Sequence, residues 1–200
     1  GDNKYYHLVL LSENNEGYHN LMRLVSLGFK DGYYYKPRVD KEILRKYHDG
    51  LICLSACLQG EVALNLRAGL YEEAKKAASE YLDIFGKGNY FLEIQDHGID
   101  DQKRINPDII RLSKELDVPV VATNDVHYTY ADDAEAHDLL LCLQTGKTVT
   151  DKDRMRYDGG QYYVKSEEEM RALFPYAQEA IDNTMLVAER CNVDLGGKEP

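Results

Sequence analysis

The sequence predicts an α/β fold in which βα units surround a parallel sheet. Three observations predict it. Short apolar, β-rich runs recur at Tyr5 to Leu11, Leu51 to Ser55, Tyr90 to Ile94 and Val118 to Thr123. Segments with apolar residues at helical spacing separate them. Glycine and proline punctuate the boundaries. Strands alternating with amphipathic helices form parallel sheets, because each helix carries the chain back to the edge where the next strand starts. Four strands are too few to close a barrel, so the sheet is expected to be open at one end.

The elements follow in order. After the first strand, Tyr18, Leu21, Met22 and Val25 fall on one helical face, with Gly28 near the end. Asp40 has the side chain of a helix cap, and Ile43, Leu44 and Tyr47 follow it before Gly50. Ala74, Ala77, Ala78, Tyr81, Leu82 and Phe85 mark a helix closed by Gly86. Asn106-Pro107 reads as the start of the next helix, with proline at the first helical position and Ile109, Leu112 and Leu116 on its apolar face. A helix is expected from about Ala131 to Gln144. After Gly146 the pattern changes: residues 147–161 are polar, and Tyr162 to Val164 reads as a short strand. Ser166-Glu-Glu-Glu169 is a capping box for a helix carrying Met170 and Leu173. Ile181, Met185 and Ala188 are expected to share one face of the last helix, and Gly196-Gly197 and Pro200 end the order.

Composition narrows the class. Two hundred residues, 44% of them hydrophobic, suit one domain or one domain with an appendage. No run reaches membrane-spanning length, and no signal peptide is visible. Cys53, Cys57, Cys142 and Cys191 form no CxxC pair, which favours reduced thiols and a cytoplasmic protein. The net charge of -11 argues against a broad nucleic-acid-binding face, but not against a small metal-centred site that acts on phosphate. Sixteen tyrosines with no tryptophan are unusual and suggest no function by themselves.

The chemistry concentrates where the strands end. Asn124-Asp125-Val126-His127 follows the fourth strand, and in extended backbone Asp125 and His127 point to the same side. Cys57 follows the second strand. Glu93-Ile-Gln-Asp-His-Gly98 leads out of the third, and His7 lies inside the first. If the strands are parallel, these features share the rim where α/β folds place their sites. A His/Cys/Asp/His set suits zinc, or manganese or iron where carboxylates dominate. Plainer readings stand beside this one. Cys57 is as a rule a small buried hydrophobe, His7 a satisfied strand histidine, and His97 before Gly98 a turn residue. His19, His48 and His137 fall on helices.

Several blocks carry a resemblance. They are Tyr6-His-Leu-Val-Leu-Leu11, Gly17-Tyr-His-Asn-Leu-Met-Arg-Leu-Val-Ser26, Tyr34-Tyr-Lys-Pro-Arg-Val39, Gly50 to Glu61, Leu92 to Gly98, Val120 to Tyr128, and His137 to Lys147. From about residue 4 to about residue 195 the chain resembles the PHP (polymerase and histidinol phosphatase) domain of bacterial replicative DNA polymerase III alpha subunits, DnaE type. The resemblance implies a partial, distorted (β/α)7 barrel over residues 1–148. A mostly helical segment, 149–200, would then lead toward a polymerase palm. By position, His7, Cys57, Asp125 and His127 match the family's metal-site motifs, with His97 as a further candidate. Cys57 stands where many PHP phosphoesterases carry histidine.

The resemblance further implies a parent DNA-directed DNA polymerase that uses Mg for nucleotidyl transfer on palm aspartates outside this chain. Zn or Mn would sit in the PHP site. DNA, a proofreading exonuclease subunit and other holoenzyme subunits would be partners. The family's His-x-His opening motif is not found here, so the chain is expected to begin partway round the barrel and to be inactive alone. Within the parent, the PHP region is either a phosphoesterase of the 3′-5′ exonuclease kind or a docking module. A free-standing histidinol-phosphatase-like enzyme is the alternative. An opened barrel is also expected to need cover for its exposed strand edge, by self-association or by residues 149–200.

Overall fold

The structure is a computed structural model that describes residues 5–196; Gly197 and Pro200 lie outside them. Four strands, β1 (Val9–Ser12), β2 (Leu51–Leu54), β3 (Tyr90–Ile94) and β4 (Val120–Ala122), form one sheet in the order β1-β2-β3-β4. β2, β3 and β4 run parallel. β1 differs from the expectation and pairs antiparallel to β2, with Val9 opposite Leu54 and Ser12 opposite Leu51. The sheet is thus mostly parallel and accords with a partial PHP-type barrel.

The helices are α1 (Asn15–Lys30), α2 (Lys41–Lys46), α3 (Glu61–Arg67), α4 (Tyr71–Phe85), α5 (Asp100–Leu116), α6 (Ala134–Thr145), α7 (Glu167–Leu173) and α8 (Gln178–Arg190). The starts of α1, α2 and α7 follow the side chains that cap them. Asn14 accepts from the Gly17 N–H, Asp40 from Ile43, and Ser166 with Glu169 completes the expected capping box. α5 corrects the sequence reading. It begins at Asp100, so Pro107 lies inside it. The apolar face of Ile105, Ile109 and Leu112 outweighs the one N–H that proline lacks. α3, only seven residues long, had no clear periodic signal. Tyr162 to Val164 forms only a single bridge, Tyr128 to Tyr163.

The two faces of the sheet follow the period of two that strands impose. Leu51, Cys53, Tyr90, Leu92, Ile94, Val120 and Ala122 face the main core, where Val62 and Leu66 of α3, Ala74 and Ala78 of α4 and Ile109 and Leu112 of α5 cover them. Ile52, Leu54, Phe91 and Val121 face the other way, with Val9 and Leu11 beside them. α8 wraps the open edge of β4. Its Ile181 joins the main core, its Val187 packs on the second face, and Asn183 donates to the Val120 carbonyl. That edge is therefore covered by the C-terminal segment. Met185, expected to face inward with Ile181, is 61% exposed, because Ala180, Ile181 and Val187 set the buried side of the helix.

Gly60, at the start of α3, fixes the approach of the chain before β1. It forms a parallel bridge with His7, and a Cβ there would lie 2.2 Å from the Ser55 carbonyl oxygen. Gly60→Ala is expected to destabilise the fold by about 1–3 kcal/mol, the usual cost of overpacking. Denaturant unfolding checks it, and an unchanged midpoint would contradict this account of the turn from Ser55 to Gly60.

Candidate functional site

The second face of the sheet continues past the strand ends into a cleft of about 800 Å³. The alternation explains which residues reach it. Along β3 the residue two beyond Phe91 is Glu93, and beyond Val121 of β4 comes Thr123. Two residues before Val9 of β1 stands His7. Because β1 runs antiparallel, its beginning lies at the same rim as the ends of β2 to β4. All four sequence candidates, His7, Cys57, Asp125 and His127, line this cleft together with His97 and Glu93.

Glu93 is the buried centre, with 4% of its surface exposed. Its Oε1 accepts from the Ala56 N–H at 3.1 Å, and its Oε2 from the Thr123 hydroxyl at 2.7 Å. Its own N–H donates to the Ser55 hydroxyl at 2.8 Å. One carboxylate thus ties together the ends of three strands. Burial raises its pKa against these hydrogen bonds, and Asp125 adds to the rise. A glutamate in the otherwise apolar run Tyr90-Phe-Leu-Glu-Ile94 was the available signal; reading that run only as a buried strand passed over it.

Asp125 and His127 reach the cleft differently from the expectation. β4 ends at Ala122, and Asp125 adopts a left-handed backbone, φ 42°. The alternation argument therefore does not apply to the pair. Instead the imidazole Nδ1–H of His127 donates to the Asp125 carbonyl oxygen at 2.6 Å, which leaves Nε2 as the acceptor nitrogen. Ala56, before Cys57, is also left-handed at φ 68°. Strained backbone thus follows the two strands that flank β3. The Cys57 Sγ lies 3.5 Å from His7 Nδ1. Burial, followed by the charges of Asp125 and Glu93, pushes the Cys57 thiol up. Among the described residues, no three His, Cys, Asp or Glu side chains are gathered closely enough to hold an ion as they stand.

His97 is held on every side. Gln102 Oε1 accepts from its backbone N–H, so Gln102 Nε2 donates to Nδ1 at 2.8 Å. Nε2–H then donates to the Asn124 carbonyl oxygen at 2.7 Å. This arrangement fits only the neutral imidazole, and burial lowers its pKa. Tyr162 stacks on the ring with centroids 4.0 Å apart. Asn124 in turn donates to the carbonyls of Gln161 and Tyr163, which anchors Tyr162 over the cleft. Tyr157 lies 4.2 Å from the His127 ring, on a segment fastened to α6 by a paired contact of Arg154 with Asp138 at 2.6 and 2.7 Å.

The family model for the PHP domain matches residues 1–97. The DNA polymerase III subunit alpha of Treponema pallidum is 46% identical over 192 residues, covering 96% of this chain and 16% of that protein. That of Campylobacter jejuni is 47% identical over 205 residues, covering 98% and 17%. That of Deinococcus radiodurans is 44% identical over 198 residues, covering 98% and 15%. The chain therefore spans about a sixth of the length of these curated relatives. The resemblance read from the sequence is shown: the PHP match covers just under half of the chain, and the likeness to polymerase III alpha subunits runs across nearly all of it.

His97→Phe keeps the stack on Tyr162 but strands the Asn124 carbonyl and Gln102, so it should cost about 1–3 kcal/mol near neutral pH. Because the folded pKa of His97 lies below its unfolded value, its contribution is present above about pH 6.5 and is lost as pH falls below that value. The gap between wild type and variant should therefore narrow on acidification in denaturant unfolding. A gap that stays constant from about pH 8 to about pH 5 would contradict the neutral, locked imidazole.

Proposed function

We propose that this chain is the PHP part of a bacterial replicative DNA polymerase III alpha subunit, and that its cleft is the divalent-cation wall of a phosphoesterase site. The observation that carries the second half is electrostatic. Burial and then the charges of Asp125 and Glu93 raise the Cys57 pKa, burial and the charge of Asp125 raise that of Glu93, and among the described residues no lysine or arginine lines the cleft. Acidic groups crowded without a countercharge are what a divalent cation relieves. The donors also fit: thiol, imidazole and carboxylate are the zinc set, and manganese suits the carboxylates.

In this reading His7, Cys57, Asp125 and His127, backed by Glu93, would hold the ion. When bound, the ion polarises a phosphate ester and lowers the pKa of water. The protein does the rest. Glu93 fixes Ala56 and Thr123, so the loops after β2 and β4 keep one spacing. The Asp125 carbonyl orients His127, so that Nε2 is the nitrogen that would face the ion. Tyr157 and Tyr162 roof the cleft and limit water. DNA-directed polymerisation, its Mg, the proofreading subunit and other holoenzyme partners belong in this proposal to the parent protein, and its cytoplasmic location goes with them. Among the described residues no helix is long and apolar enough to cross a membrane.

A second reading, a docking module for the proofreading subunit, is favoured by the lack of three gathered donors among the described residues. One titration separates the two. Zinc added to the chain should bind with release of protons and more tightly as pH rises, because the Cys57 thiol must ionise. Asp125→Asn and Cys57→Ala should each weaken binding roughly 10-fold or more. Little hydrolysis of a phosphodiester is expected from the chain alone. Equal zinc affinity in wild type and both variants would favour the docking module.

A further inference from the structure

The tyrosine excess has a local concentration that the cleft does not absorb. Between α1 and α2 the chain makes a tight turn at Tyr34-Tyr35-Lys36, closed by the Tyr34 N–H donating to the Lys36 carbonyl at 3.1 Å. Tyr35, at its tip, holds φ 60°, a conformation rare for a bulky residue, and is 74% exposed. Tyr34, 51% exposed, meets it edge to face with centroids 4.7 Å apart. Tyr5, 40% exposed, stands beside them, its hydroxyl accepting from Lys36 Nζ at 2.9 Å. Lys36 Nζ sits 5.1 Å from the Tyr5 ring centre, and the Arg38 guanidinium 5.6 Å from Tyr5 and 5.1 Å from Tyr34.

Two facts give this cluster a ligand chemistry. The chain carries 35 acidic residues against 24 Lys and Arg, yet neither Lys36 nor Arg38 meets a carboxylate among the described residues. Lys36 has only the tyrosine hydroxyl, and Arg38 donates from Nη2 to the Tyr34 carbonyl while its buried Nε has no partner. The cluster also opens onto the cleft, whose wall includes Tyr5, His7 and Pro37. Exposed rings interleaved with unpaired cations, at the mouth of an acidic cleft, match how single-stranded nucleic acid is held: bases stack on the rings while cations meet the phosphates.

We propose that Tyr5, Tyr34 and Tyr35 with Lys36 and Arg38 form a platform for single-stranded DNA at the mouth of the cleft. The platform rests on the phosphoesterase reading only for its direction, since the strand end would point toward His7 and Cys57. Stacking on the rings is indifferent to base identity, so little sequence preference is expected. The overall negative charge confines the strand to this patch and makes binding weak and salt-sensitive.

The test is fluorescence anisotropy of a labelled oligothymidylate on the chain in EDTA, so that the cation site plays no part. The same length of abasic backbone serves as the second probe. Circular dichroism first confirms that each variant is folded. Tyr35→Asn, which tolerates the left-handed backbone, should weaken oligothymidylate binding roughly 5- to 100-fold and leave abasic binding little changed. Lys36→Gln combined with Arg38→Gln should weaken both probes and flatten the log–log salt slope by about 1.4, two phosphate contacts' worth. Three results would overturn the proposal: no binding at low salt, equal binding of the two probes by wild type, or variants that bind like wild type. Binding that survives in EDTA while zinc fails to bind would keep the platform and remove the phosphoesterase reading.

Discussion

The buried carboxylate of Glu93 is the constraint on which the rim depends. A carboxylate in an apolar sheet is costly unless its oxygens are satisfied, and here the Ala56 N–H and the Thr123 hydroxyl satisfy them. Those partners belong to the chain just after β2 and just after β4. The requirement to satisfy one group in the middle strand therefore sets where its two neighbours end. Ala56 and Asp125 both turn left-handed immediately beyond, and the chain departs from the sheet carrying Cys57 and Asp125 into the cleft. Loss of the carboxylate would release both turns at once, so the site and the local fold are one arrangement.

The second constraint is direction. The first strand reverses the sense of the other three, and that reversal puts His7, two residues before it, at the rim beside Cys57. A parallel first strand would place His7 at the opposite end of the sheet. The bridge from His7 to Gly60 keeps this register, and the turn from Ser55 to Gly60 that presents it is too tight for a side chain at Gly60. On the far side of the sheet α8 closes β4 by packing around its edge, which leaves the rim as the open end.

Much of this was legible in the residues. The four apolar runs are the four strands, Asp40 and Ser166 cap helices as their side chains dictate, and His7, Cys57, Asp125 and His127 share a cleft. What was not legible depended on tertiary packing. Strand direction follows from how α1 and α2 return the chain, which periodicity does not encode. Pro107 sits inside α5 because burial of Ile105 and Ile109 outweighs one missing hydrogen bond. Glu93 was hidden because an apolar run was read by its majority, and its one charged member was the most informative residue in it. The alternation argument brought Asp125 and His127 to the cleft for a reason that the left-handed turn at Asp125 replaces.

The central claim is that Glu93, Asp125 and Cys57, in a cleft lined by no lysine or arginine among the described residues, make it a cation site. Anomalous diffraction from crystals of the chain soaked in zinc tests it most directly. A peak within bonding distance, about 2.0–2.3 Å, of Cys57 Sγ and of a nitrogen of His7 or His127, with Asp125 or Glu93 completing the set, is the predicted result. Strong zinc peaks confined to surface carboxylates, with the cleft empty and the Glu93 carboxylate still bonded to Ala56 and Thr123, would contradict it.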